Sequence, residues 1–171
     1  MSGKNKYNKG LWAEEIVKEK LSWKVGRKVI RHTNYDLDGD ESWQCVVING
    51  KEYICPDLEV YEEDLEMRVE VKSFEDFPRN IPFEAKGHVL VISKRQLDKY
   101  FLLQKEEEVP IFIVFVIADG FGGNDFYWAS VTDMLTRFPV REDIYEWKYD
   151  ARKEVCYFFR SKDFRNDIES L

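Results

Sequence analysis

Three charged side chains in the first half of the chain have the types and the spacing to hold a metal ion and to direct a water molecule. Residues 53–61 and 67–73 are predicted to form two strands with an acidic turn between them. Because successive side chains alternate between the two faces of a strand, Glu70 and Lys72 share one face of the second strand. A hairpin of the two strands would bring Asp57 beside Glu70. Two carboxylates and one ammonium group would then converge at one place.

Such a group of side chains suits chemistry on phosphate esters. Carboxylate oxygens are ligands that Mg²⁺ prefers, and a bound Mg²⁺ keeps several waters and also takes phosphate oxygens. A neighbouring lysine can orient or deprotonate an attacking water, or neutralise charge that develops on a phosphate. The spacing alone leaves a second interpretation open, in which the hairpin carries ordinary solvated surface charges.

The wider pattern resembles the PD-(D/E)xK nuclease superfamily. Pro56-Asp57 matches the PD, and Glu70-Val71-Lys72 matches the E-x-K, with Glu70 thirteen residues after Asp57. The resemblance implies that Asp57 and Glu70 hold one or two Mg²⁺ or Mn²⁺ ions, together with the backbone carbonyl of Val71. It also implies that Lys72 positions or activates the attacking water.

The predicted first helix, residues 8–21, extends the resemblance. Gly10 and Glu14 match the G-x-x-x-E of the first helix in Holliday-junction resolvases, a branch of the same superfamily. In that branch the glutamate belongs to the metal site, so Glu14 is implied as a ligand, either directly or through water. The helical period places Glu14 at the margin between the apolar and charged faces. The alternative is a surface glutamate that pairs with Lys18.

A strand, a helix and a second strand are predicted after the E-x-K motif, in an order that again resembles the resolvases. The first strand covers residues 88–92, and the helix covers 94–107 with Ser93 as its N-cap. The uninterrupted apolar run at 111–118 indicates a strand that is buried on both faces. Related nucleases often carry a glutamine at the start of this helix. Gln96 is therefore implied as a residue that binds the attacking water or a phosphate, and a polar first helical turn is the alternative.

Basic residues near these elements are predicted to contact DNA phosphates. Residues 1–31 contain nine basic and three acidic residues, although the whole chain has a net charge of −7. The predicted contacts are Lys9, Lys28, Arg79, Lys86, Lys94 and Arg95, and the wider basic segment adds Lys4, Lys6, Lys24 and Arg27. A solvated helix face and a plain connecting loop are the alternatives for these residues.

Taken together, the predicted elements define an α/β protein. A chain of 171 residues is long enough for one domain with a full core. Further strands are predicted at 28–33, 43–48, 52–55, 126–131, 145–148 and 155–159, and a short helix at 132–137; the buried side of helix 94–107 is predicted to be Leu97, Tyr100, Phe101 and Leu102. We expect a single restriction-endonuclease-like domain with a mixed central β-sheet flanked by helices. Its core is expected at about residues 9–118, with a β-rich C-terminal elaboration at 119–171.

Several other classes of protein do not fit the composition. The longest apolar run, at 111–118, is too short to cross a bilayer. The N-terminus lacks the apolar segment of a secretory signal. Cys45, Cys55 and Cys156 are odd in number and widely spaced. They are predicted to be reduced core cysteines of a cytoplasmic protein, not a zinc site or a disulfide framework.

Three functions are consistent with the sequence. The first is a metal-dependent endodeoxyribonuclease that selects a DNA structure, as the resolvases do as symmetric homodimers. The second is a restriction- or mobile-element-type nuclease of the same superfamily that acts with a protein partner, and the third is an inactive DNA-binding or assembly module. The set of Asp57, Glu70 and Lys72 weighs against the third, because carboxylates clustered without a metal repel each other. No histidine is required, and His32 and His88 are predicted to be structural because they lie in or beside apolar strands.

Overall fold

A five-stranded mixed β-sheet with a helix packed on each face forms the centre of the fold. The computed structural model describes residues 3–31, 34–35, 41–42, 45–78, 81–84, 87–118, 123–147 and 152–171, with side chains at 10–31 and, within these ranges, from 47 onwards. Its elements are α1 (Gly3–Ser22), β1 (Arg27–Arg31), β2 (Asn34–Tyr35), β3 (Glu41–Ser42), β4 (Cys45–Ile48), β5 (Lys51–Ile54), β6 (Leu58–Glu62), β7 (Leu65–Phe74), β8 (Val89–Ser93), α2 (Lys94–Glu107), β9 (Ile111–Ala118), β10 (Asn124–Ser130), α3 (Val131–Thr136), β11 (Arg141–Glu146), β12 (Lys153–Arg160) and two 3₁₀ turns at Ser161–Asp163 and Ile168–Ser170. The predicted mixed α/β class is confirmed.

The strand order of the central sheet is β1-β6-β7-β9-β10. Strands β7 and β9 run parallel, and all other neighbours in this sheet are antiparallel. A parallel pair requires a crossover connection, which here contains β8 and α2. Strand β10 forms one edge, so the central sheet extends past Ala118, the residue at which we expected the core to end.

A second sheet of three antiparallel strands, in the order β11-β12-β8, contains most of the C-terminal part. Strand β8, which follows the E-x-K strand in sequence, pairs with β12 from Val89↔Arg160 to Ser93↔Cys156. The β-rich C-terminal region is therefore tied to the middle of the chain by a long-range strand pairing.

Two apolar layers hold the helices to the central sheet. On one face, α1 packs Ala13, Val17 and Leu21 against a layer that includes Val69 and Val71. On the other face, α2 contributes to a larger layer, whose members from α2 and β9 are Leu97, Tyr100, Leu103, Ile111, Ile113, Phe115 and Ile117. The alternation of β7 therefore directs Val69 and Val71 towards α1, and Glu70 and Lys72 towards α2. No helix in the described ranges is long and apolar enough to cross a membrane.

Helix α2 begins and ends where its sequence predicts, but two details differ. Ser93 occupies the N-cap position without a capping hydrogen bond, because its hydroxyl instead donates to Glu154 Oε2 on β12 at 2.7 Å. Leu102, which we expected to be buried, is half exposed, whereas Leu103 is fully buried. The prediction for Leu102 is therefore wrong, while Leu97 and Tyr100 lie in the core as expected.

The short hairpin of β4 and β5 has the turn that its sequence predicts. Asn49 and Gly50 both have positive φ, at 51° and 74°, as a two-residue type I′ turn requires. Cys55 and Cys156 are both buried. Burial raises the pKa of the Cys156 thiol to about 12.

Candidate metal centre

The hairpin of β6 and β7 brings Asp57 to Glu70. Leu58 pairs with Val69 at the end of the ladder, so Asp57, one residue earlier, lies level with Glu70. The Val71 backbone N–H donates a hydrogen bond of 2.7 Å to Asp57 Oδ2, which fixes the carboxylate against the neighbouring strand. Both carboxylates are buried, Asp57 being 7% and Glu70 4% exposed.

Helix α2 and Lys72 together surround the Glu70 carboxylate with hydrogen-bond donors. Lys72 Nζ donates to Glu70 Oε1 at 2.5 Å, and Gln96 Nε2 donates to the same oxygen at 2.8 Å. The Tyr100 hydroxyl donates to Glu70 Oε2 at 2.6 Å and receives a hydrogen bond from Gln96. Gln96, one turn before Tyr100, therefore contacts Glu70 directly, and its predicted role towards water or phosphate stays a prediction.

Burial and like charge both disfavour ionisation of Asp57. Desolvation, followed by the negative charge of Glu70, raises the pKa of Asp57 well above its ordinary value, although Lys72 acts in the opposite direction. Burial lowers the pKa of Lys72, but the charges of Glu70, Asp57 and Glu14 outweigh this effect and raise it overall. Lys72 is therefore a protonated cation at neutral pH when these carboxylates are ionised. Orienting a water or neutralising a phosphate fits this state better than removing a proton.

Glu14 of α1 lies close enough to influence both Asp57 and Lys72, but it also has a cationic neighbour. Its charge contributes to the raised pKa of each of these two residues. Glu14 Oε2 lies 3.2 Å from the Nε of Arg31, which stands at the end of β1 and also pairs with Glu15. Glu14 is buried, with 8% of its side chain exposed. Its position agrees with a place at the edge of the site.

The donor chemistry of the site fits a hard divalent cation. A carboxylate has about four acceptor positions, and the hydrogen bonds above use two on Glu70 Oε1 and one on Oε2. Asp57 is held through Oδ2 alone among the described contacts. A cation beside Asp57 and Glu70 would also offset the repulsion that raises the Asp57 pKa. In the part of the chain that the structure describes, no three Asp, Glu, His or Cys side chains are arranged to ligate one ion, so Glu14 does not join the two carboxylates as a direct ligand in this geometry.

The residues predicted to contact DNA have different environments. Arg95 and Lys28 are exposed, whereas Lys94 donates to the Tyr157 hydroxyl and lies 2.9 Å from Asp98 Oδ2. These two hydrogen bonds raise the pKa of Lys94 and engage its ammonium within the protein.

The basic segment after α1 requires a correction. Arg27 is buried, with 2% of its side chain exposed, and it pairs with Glu62 together with Lys24. Arg27 is therefore not available to a phosphate. The side chains of Lys4, Lys6 and Lys9, and residues Arg79 and Lys86, lie outside what the structure describes.

Two residues at the site were missed by the sequence analysis. Tyr100 was assigned only to the buried side of α2, although its spacing of four residues from Gln96 places both on one helical face. Arg31 was treated as one of several basic residues. The signal for Arg31 was its position at the end of the strand that follows α1, where it can meet Glu14.

His88, predicted to be structural, is exposed just before β8, and His32 lies outside the described residues.

The central sheet, the crossover through α2 and the hairpin that carries Asp57, Glu70 and Lys72 form a mixed α/β fold that is shared with a known structure. One structure that it matches is Hjc, a Holliday junction resolvase from the archaeal hyperthermophile Archaeoglobus fulgidus. The match has a TM-score of 0.54 and covers 95% of this chain and 94% of Hjc, at 13% sequence identity. No protein-family model and no curated protein sequence matches the chain. The likeness is therefore one of fold, and it extends well beyond residues 9–118.

Replacing Tyr100 with phenylalanine should weaken binding of Mg²⁺ by about 10- to 100-fold, the usual effect of removing a partner of a metal-ligating carboxylate. The substitution removes only the hydroxyl that holds Glu70 Oε2. Calorimetric titration with Mg²⁺ measures the effect, and Tyr145→Phe, which changes a buried tyrosine on β11, is the matched control. Equal Mg²⁺ affinity in wild type and Tyr100→Phe would exclude this role for Tyr100.

Proposed function

We propose that the chain is a divalent-metal-dependent endonuclease that hydrolyses phosphodiester bonds of DNA and prefers branched DNA. The observation that carries the proposal is the convergence of Asp57, Glu70 and Lys72 at one buried place beside the central strand β7. Burial and the charge of Glu70 raise the pKa of Asp57, so this pair of buried carboxylates is costly in a purely structural role. The likeness of fold to a Holliday junction resolvase supports the choice of DNA and of a branched substrate.

In this proposal each side chain has a separate task. Asp57 and Glu70, with the Val71 carbonyl, hold Mg²⁺ or Mn²⁺, and Glu14 acts at the same site through water. When bound, the cation supplies positive charge that stabilises the phosphorane-like transition state. Lys72 orients the attacking water and offsets negative charge on the phosphate. Gln96 and Tyr100 fix the Glu70 carboxylate, and Gln96 can also contact the water.

Purified protein should cleave DNA in Mg²⁺ or Mn²⁺ and lose this activity completely when the metal is chelated, because all the proposed ligands are oxygens. The test compares four-way, flap, linear duplex and single-stranded DNA under identical conditions. Preferential cleavage of the four-way or flap DNA supports the proposal. Undiminished cleavage in excess EDTA, or activity on none of the four substrates, would contradict it.

A symmetric homodimer is part of the proposal, because a four-way junction presents two equivalent strands for cleavage. The fold resemblance to a resolvase supports this assembly. Light scattering during size-exclusion chromatography measures the mass directly. A monomer that remains monomeric on junction DNA would remove the dimer from the proposal.

Charge reversal of exposed basic residues should weaken DNA binding without changing the sequence preference. Arg95 lies on the first turn of α2 beside Gln96, and Lys28 is exposed on β1. Each phosphate contact contributes about −0.9 to the slope of log K against log salt on duplex DNA. Arg95→Glu and Lys28→Glu should therefore each flatten the slope by about one unit, while Lys153→Glu, at a residue of β12 that pairs with Glu146, should not. An unchanged slope would assign Arg95 or Lys28 to a merely solvated surface.

A further inference from the structure

An aromatic cluster lies where the segment that connects β7 to β8 ends. The rings of Phe77 and His88 are stacked, with centroids 3.9 Å apart and planes inclined by 18°. Tyr127 of β10 meets Phe77 edge-on at a centroid distance of 5.6 Å. Phe77 and Tyr127 are half-buried and pack against the larger apolar layer, whereas His88 is exposed. Phe77 therefore covers one face of the His88 imidazole, and the rest of the ring is exposed.

This cluster lies on the same face of the sheet as the candidate metal centre. Lys72 pairs with Phe115 of β9, and Phe115 pairs with Tyr127 of β10. Side chains paired across strands share a face, so Lys72, Phe115 and Tyr127 form one row. Two strand spacings of about 4.8 Å place the backbone of Tyr127 about 10 Å from that of Lys72. If a phosphate of a DNA strand lies at Lys72, the next one or two nucleotides of that strand would reach the cluster.

The chemistry around the stacked rings suits a base better than a phosphate. A shallow cavity of about 260 Å³ is lined by Asp76, Phe77, Pro78, Ile81, Gly87, His88 and Val89. Its volume is near the lower limit of ordinary ligand sites, which suits a single planar ring system. Asp76 is the acidic member of the lining, and Glu75 beside it is exposed. These carboxylates repel phosphate but can accept hydrogen bonds from the amino groups of a base.

We propose that Phe77, His88 and Tyr127 form a stacking site for one unpaired nucleobase of the DNA strand that is cleaved. The base stacks on the exposed face of His88, which Phe77 and Tyr127 support from behind. The inference rests on the proposed nuclease function and narrows its substrates to DNA with an unstacked base close to the scissile phosphate, such as a branch point or a flap. A fully paired duplex offers no such base unless it is distorted.

The test measures binding without cleavage, in the full chain carrying Lys72→Ala and in EDTA. The DNA probes are a duplex with one unpaired adenine, the same duplex with an abasic residue at that position, and a fully paired duplex. His88→Ala is introduced because His88 is exposed, and thermal melting confirms that the variant folds. His88→Phe preserves a stacking surface, and Trp23→Ala, which removes an exposed aromatic side chain at the end of α1, is the matched control.

We expect His88→Ala to weaken binding of the unpaired-adenine probe by about 5- to 100-fold, the effect of losing one base–aromatic stack. Binding of the abasic and fully paired probes should be unchanged, and His88→Phe should restore binding of the adenine probe. If the His88→Ala protein bound every probe as tightly as its parent does, the stacking site would be overturned. An equal loss of affinity on all three probes would overturn it as well.

The outcome is separable from that of the proposed function. If the wild-type chain cleaves branched DNA but His88→Ala binds the adenine probe normally, the nuclease proposal stands and the stacking site fails. If the adenine probe shows the expected dependence on His88 but no DNA is cleaved in Mg²⁺, the stacking site stands and the nuclease proposal fails.

Discussion

Lys72→Ala should reduce DNA cleavage by about 10²- to 10⁴-fold, the usual contribution of a positioned group that handles a proton or charge in the transition state. The Lys72 ammonium lies 2.5 Å from Glu70 Oε1, and the surrounding carboxylates raise its pKa. Its charge is therefore present at neutral pH and adjacent to the proposed ligands. Single-turnover cleavage of four-way DNA in saturating Mg²⁺ measures the chemical step.

The variant should retain its fold and most of its affinity for DNA, because Lys72 contributes one of many positive charges. Lys153→Ala is the matched control, since Lys153 is exposed on β12 and pairs with Glu146. Lys72→Arg separates two roles of the lysine. Substantial activity with arginine would show that positive charge alone suffices, and activity of Lys72→Ala equal to wild type would remove Lys72 from the mechanism.

Asp57→Asn should have two opposite effects, a large loss of Mg²⁺ affinity and a more stable metal-free fold. Removing a residue that only holds a metal ligand in place weakens metal binding by up to about 100-fold. Loss of a ligand itself should therefore weaken Mg²⁺ binding by at least about 100-fold. The fold should be stabilised because burial and the charge of Glu70 raise the Asp57 pKa. Asparagine has the same shape, and its side-chain carbonyl can still accept the hydrogen bond from the Val71 N–H.

The size of this stabilisation depends on pH. A group whose pKa is raised by folding favours the folded state when it is protonated, and this contribution is lost as pH rises from its unfolded value towards the raised folded value. For Asp57 the unfolded value is 3.8. The melting temperature of Asp57→Asn should therefore match that of wild type below about pH 4 and exceed it at neutral pH, by about 2–4 °C for each kcal/mol of repulsion removed.

Thermal melts across this pH range, with and without Mg²⁺, test both parts. Mg²⁺ should raise the melting temperature of the wild type and not that of Asp57→Asn, because only a bound ligand stabilises the folded state. Asp143→Asn, on the half-exposed strand β11, is the matched control. An equal response to Mg²⁺ in both proteins would exclude Asp57 as a ligand.

The sequence predicts the hairpin of the candidate site well because its information is local. Alternation within a single strand assigns Glu70 and Lys72 to one face, and a short acidic turn returns the chain to Asp57. The structure places these three side chains together, while their roles as ligands and as water-positioning group stay predictions. The burial of Leu103 instead of Leu102 shows the limit of the helical pattern, in which neighbouring apolar residues compete for one face.

Contacts between distant residues were harder to predict. Arg31 reaches Glu14, and Tyr100 reaches Glu70, through the packing of helices on the sheet and not through any local pattern. Similarly, the short apolar run at 88–92 indicates a strand but does not identify its partner. The partner is β12, and the strand therefore belongs to the smaller sheet.

The pairing of β8 with β12 also has a consequence for how the chain folds. The ladder joins Val89 to Arg160, so α2, β9, β10, α3 and β11 all lie within the loop that it closes. Long loops are slow to close, whereas the β6–β7 hairpin joins neighbours in sequence. During synthesis the carboxylate hairpin can form early, but α2, which brings Gln96 and Tyr100 to Glu70, packs against β12, which follows it by more than one strand in the sequence. The side chains around Glu70 therefore reach their final geometry only after β12 has been made.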